Sequence, residues 1–122
     1  MGDEKTILLI EDDDDTLELL TSFLVEKNFL VDTVTDGVSA LKYLETSTPD
    51  LIITDLLLRG EHGMNVVKEI KQKYFLPVII ISGIYHQKEM HQFVEQYSVE
   101  GFFEKPLDLN LLESRILTLV YE

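Results

Sequence analysis

Five times along the chain, a short apolar run gives way to a longer stretch whose apolar residues recur three or four positions apart. The strand candidates are Thr6–Ile10, Leu30–Val34, Leu51–Thr54, Val78–Ser82 and Gly101–Glu104. Ile7-Leu8-Leu9-Ile10, Leu51-Ile52-Ile53 and Val78-Ile79-Ile80-Ile81 are continuously apolar, as strands covered on both faces are. Leu30–Val34 carries Asp32 and Thr33 and reads as an edge strand. Amphipathic stripes follow: Leu17, Leu20 and Leu24; Val38, Leu41 and Leu44; Met64, Val67 and Ile70; Met90, Phe93, Val94 and Tyr97; Leu109, Leu112, Ile116 and Leu119. The alternation predicts an α/β fold, a doubly wound five-stranded parallel sheet with five helices covering both faces.

The 122 residues, 45% hydrophobic, suit a single domain over 1–122 with its core at about 6–120. Ten basic residues against 23 acidic ones give a net charge of −13. Nucleic-acid binding needs cations facing phosphates, so direct contact with DNA or RNA is not expected. No apolar run reaches the roughly 20 residues that span a bilayer, and the N-terminus lacks a signal pattern, so a cytoplasmic protein without a membrane partner is expected. With no Cys, disulfides, thiol catalysis and Cys-based zinc sites are excluded.

The polar residues fall where such a fold binds ligands, at the carboxyl ends of the strands. The first strand ends in Glu11-Asp12-Asp13, the third in Thr54-Asp55, the fourth in Ser82-Gly83 and the fifth in Glu104-Lys105-Pro106. With strand order 2-1-3-4-5 the first and third strands are neighbours, and Glu11, Asp12 and Asp55 converge. Two carboxylates about 4 Å apart repel by roughly 4 kcal/mol at an effective dielectric of about 20, so a cation or raised pKa values must offset the arrangement. All-oxygen donors suit a hard ion such as Mg2+. Asp14 and Asp15, and in part Asp13, are accounted for by the start of the first helix.

From about Thr6 to Val120 the sequence resembles a two-component response-regulator receiver domain. The residues that carry the resemblance are Ile10-Glu11-Asp12, Thr54-Asp55 with Gly63 eight positions later, Ser82 followed by Gly83, and Phe102 three residues before Lys105-Pro106, with Lys105 fifty residues past Asp55. The resemblance implies a flavodoxin-like fold and a phosphoacceptor switch in a phosphorelay, not an enzyme acting on a separate substrate. Asp55 would take a phosphoryl group from a sensor histidine kinase or a histidine phosphotransfer protein. Asp12, Asp55 and the backbone carbonyl of Leu57 would hold Mg2+, with Glu11 acting through water. Lys105 and Ser82 would contact the phosphoryl oxygens, and Phe102 would swing inward with Ser82. The Lys105–Pro106 bond would be cis. The readout face would be the fourth helix, fifth strand and fifth helix, serving a homodimer or an effector.

The chain departs from the family pattern at Arg59, where Pro is frequent, and at Gly83, where Ala is commoner. Leu57 and Ile84 are apolar at positions that tune acyl-phosphate hydrolysis, which implies slow autodephosphorylation. His62, His86 and His91 lack metal-ligand spacing and read as surface residues. Two other functions stay open: a degenerate receiver serving as a phosphorylation-independent scaffold, and a Mg2+-dependent phosphohydrolase, for which 122 residues leave little room for a cap.

Overall fold

The computed structural model describes residues 4–58, 61–83 and 87–121. Its main sheet holds β1 (Thr6–Ile10), β2 (Leu30–Val34), β3 (Leu51–Asp55), β4 (Val78–Ser82) and β5 (Gly101–Glu104), all parallel, in the order β2-β1-β3-β4-β5. The helices are α1 (Asp14–Glu26), α2 (Gly37–Thr46), α3 (Gly63–Lys73), α4 (Gln87–Tyr97) and α5 (Leu109–Tyr121). A two-residue antiparallel pair, Leu57–Leu58 with Glu61–His62, lies between β3 and α3.

Side chains alternate across a strand, so the apolar runs feed two cores. Leu8, Ile10, Ile52 and Ile80 meet Ala40, Val67, Ile70, Met90 and Phe93 from α2, α3 and α4. Ile7, Leu9, Ile53 and Ile79 meet Leu20, Leu24, Leu112 and Ile116 from α1 and α5. One expected position is corrected. Val38 is 62% exposed, while Leu41 and Leu44 of the same stripe do face the core, joined by Gly37 and Ala40. Gly37, Ala40, Leu41 and Leu44 recur at i, i+3, i+4 and i+7, one face of a helix, and Val38 lies off it.

Short polar side chains start the helices. Asp13 accepts from the Thr16 N–H at 2.9 Å and Asp36 from the Ser39 N–H at 2.7 Å. At the amino ends of β4 and β5, Lys71 Nζ donates to both Glu100 carboxylate oxygens at 2.9 Å, and Glu100 Oε1 accepts from the Val78 N–H at 2.8 Å. This tie holds the pole opposite the acidic strand ends. Among the described residues no helix is long and apolar enough to cross a membrane.

Candidate functional site

β1 and β3 are adjacent, so their carboxyl ends bring Glu11 and Asp55 together. Glu11 is fully buried and Asp55 nearly so. The Lys105 N–H donates to the Ser82 carbonyl at 2.9 Å, which carries the β4–β5 ladder one step past the strand. Lys105 then enters the pocket from the side, its Nζ 2.8 Å from Asp55 Oδ2 and 3.2 Å from Glu11 Oε1. The Lys105–Pro106 bond is cis.

Two carboxylates facing one ammonium leave a negative charge uncompensated. Burial is the largest influence on Glu11 and raises its pKa to about 7. The Asp13 N–H, which donates to Oε2 at 3.1 Å, and Lys105 oppose the rise, while the nearby Asp55 charge adds to it. Burial would lower the Lys105 pKa, but Asp55 and Glu11 outweigh it and hold the ammonium above its ordinary value.

Asp12 does not join this contact. It is partly exposed and lines an adjoining concavity with Asp14, Thr35 and Asp36. Among the described residues no three acidic or histidine side chains form a ready metal cage. The donor chemistry still suits a hard divalent cation, because Glu11, Asp12 and Asp55 offer carboxylate oxygens at neighbouring strand ends with a net negative charge. The chain leaving β3 offers another oxygen. The Gly63 N–H donates to the Leu56 carbonyl at 3.0 Å beside the Leu57–His62 pair. In an antiparallel ladder, that pattern makes Leu57 and His62 a non-hydrogen-bonded pair, and the Leu57 carbonyl faces away from its partner strand.

Gly63 has a steric reason. A Cβ there would sit 2.5 Å from the Leu56 Cα and carbonyl oxygen. Gly83 has none: an added Cβ would lie 3.7 Å and 3.8 Å from the Lys105 Cβ and Cδ, an ordinary contact, and its φ is outside the left-handed region. Gly83→Ala is therefore expected to stabilise the protein by about 0.5–1 kcal/mol, through reduced freedom of the unfolded chain and contact with the lysine stem. Urea unfolding checks this, and a lowered midpoint would show that the loop requires glycine.

Ser82 is buried at the end of β4. Phe102 is partly buried, packs against the core beneath α2–α4, and lines a concavity with His91, Val94 and Glu95. His91 is exposed, as expected. Arg59, Ile84, His86 and the side chain of His62 lie outside the described residues.

Comparison with known proteins agrees with this architecture. The model of the response regulator receiver domain family matches residues 7–117. Response regulator RR06 of Streptococcus pneumoniae is 31% identical over 114 residues, which cover 93% of this chain and 52% of that protein. The chain spans about half the length of the curated relatives it matches. Among solved structures, a two-component response regulator from Clostridium difficile superposes with a TM-score of 0.90 at 22% identity, covering 98% of each chain. The signal receiver domain of a signal transduction histidine kinase from Syntrophus aciditrophicus gives a TM-score of 0.85 at 26% identity, covering 96% of this chain and 90% of that one. The strand order, the family match across the body of the chain and these relatives together make the chain a member of the response regulator receiver domain family of two-component systems.

Proposed function

We propose that the chain is a phosphoacceptor switch in which Asp55 carries the phosphoryl group. The observation that supports this most directly is the 2.8 Å contact between Lys105 Nζ and a nearly buried carboxylate at a strand's carboxyl end. A carboxylate kept from water and aligned by a fixed cation is a positioned nucleophile.

An Asp55 oxygen attacks the phosphorus of a phosphohistidine on a sensor histidine kinase or a histidine phosphotransfer protein. The new O–P bond forms as the N–P bond breaks, and the departing imidazole takes up a proton. Lys105 transfers its ammonium from carboxylate to phosphoryl oxygen, a short move for a flexible stem bearing a compact charge. The Ser82 hydroxyl donates to a second phosphoryl oxygen, and Phe102 follows it inward. Asp12, Asp55 and the Leu57 carbonyl would hold Mg2+, with Glu11 acting through water. When bound, that ion supplies positive charge against the anionic oxygens of the transfer. The chemistry is self-modification rather than turnover. Its readout is the α4-β5-α5 face, which would serve a second copy or an effector.

Intact mass after incubation with acetyl phosphate tests this reading. A Mg2+-dependent gain of one phosphoryl group is expected for the wild type and none for Asp55→Asn. An unchanged wild-type mass would refute the switch and favour a constitutive scaffold.

A further inference from the structure

Thr54 stands in an apolar row. The strand register sets it between Ile10 of β1 and Ile80 of β4, with Phe102 beyond Ile80. Its side chain is fully buried in a strand buried along its whole length. Valine has the same shape and would suit such a row better, since a buried hydroxyl is costly unless it makes a hydrogen bond. The Thr54 hydroxyl does make one: Oγ1 donates to the carbonyl oxygen of Asp55 at 2.9 Å. That carbonyl belongs to the first peptide plane after the acceptor. The next carbonyl, of Leu56, accepts from the Gly63 N–H at 3.0 Å. Two successive peptide planes are thus tied before the chain reaches Leu57, whose carbonyl faces out of the short antiparallel pair.

We infer that Thr54 is a positioning residue: its hydroxyl fixes the path of the chain from Asp55 and so sets the Leu57 carbonyl where it serves as a ligand to the divalent cation. This rests on the reading of Asp55 as phosphoacceptor and of Leu57 as a backbone ligand. Thr54 touches neither the phosphoryl group nor the metal. It acts through two peptide bonds.

Isothermal titration of Mg2+ into the wild type, Thr54→Val, Thr54→Ser and Thr54→Ala tests the inference, with urea unfolding of each variant run alongside. Loss of one intramolecular hydrogen bond is expected to raise the Mg2+ dissociation constant about fivefold in Thr54→Val and Thr54→Ala. Thr54→Ser, which keeps the hydroxyl, is expected to stay within about twofold of the wild type, a rescue that a purely packing role would not give. Should Thr54→Val fail to fold, the comparison of Ser with Ala isolates the hydroxyl. Equal affinities for Thr54→Ala, Thr54→Ser and the wild type would overturn the inference while leaving the phosphoacceptor reading intact. A wild type that neither binds Mg2+ nor gains a phosphoryl group would remove that reading, and this inference with it.

Discussion

Lys105→Met is expected to lower stability by about 3 kcal/mol at pH 8, because it strands two buried carboxylates without their shared cation. The side chain of Glu11 is 0% exposed, that of Asp55 6% and that of Lys105 24%, so water can replace little of what the ammonium supplies. Methionine retains most of the stem's packing, which separates lost charge from lost volume. At pH 5 the penalty should shrink, since Glu11 can then take up a proton and relieve the repulsion. Adding Glu11→Gln to Lys105→Met should recover much of the loss at pH 8. Urea unfolding at the two pH values decides it. A single variant as stable as the wild type at pH 8 would show that the contact with the two carboxylates contributes nothing net.

The wild type should also lose stability as pH rises from about 4.5 to about 7. Glu11 has a folded-state pKa near 7 against an ordinary 4.5. The folded protein therefore holds a proton through this window that the unfolded chain has released, and stability declines with rising pH by on the order of 3 kcal/mol before levelling off. The opposite limb lies at lower pH. Asp13 and Asp36 have lowered pKa values because they accept hydrogen bonds from Thr16 and Ser39, so the stability they add is lost as acid protonates them. Lys105, with its raised pKa, gives up its contribution only at strongly alkaline pH. Maximum stability of the metal-free protein should therefore fall near about pH 5. Glu11→Gln should flatten the decline between about pH 4.5 and 7, and added Mg2+ should reduce it by favouring the ionised carboxylate. A flat wild-type profile without metal would contradict the buried, charge-crowded environment assigned to Glu11.

The three central strands were legible because strands covered on both faces are written as unbroken apolar runs, and such runs have few alternative readings. The strand ends were legible for the same reason: Asp55 and Lys105 are conspicuous where apolar sequence stops. Helix faces were harder. The face of α2 includes Gly37 and Ala40, which carry little hydrophobic signal, so the expected stripe began at Val38, off that face, although Leu41 and Leu44 do meet the core. Asp12 shows a second limit. Adjacent residues at a strand end point to different sides, and sequence alone did not indicate that Glu11 would meet Lys105 while Asp12 lines the neighbouring concavity. The Thr54 bond was present only as an oddity, a hydroxyl at the end of a run of aliphatic residues. Its partner is a backbone oxygen, which every residue carries and which no side-chain pattern can mark.

The lysine that closes the pocket joins residues far apart in the chain, 50 positions from Asp55 and 94 from Glu11. During synthesis, β1, β3 and Asp55 leave the ribosome before residue 105 does. Until then the cleft lacks the Lys105 ammonium that contacts both Asp55 and Glu11. Domains generally fold as units with the N-terminal part emerging first, so the pocket is complete only once β5 has docked and set Lys105 beside the two carboxylates. The arrangement makes closure of the acidic pocket coincide with docking of the last strand of the sheet, so the pocket is among the parts of this fold finished last.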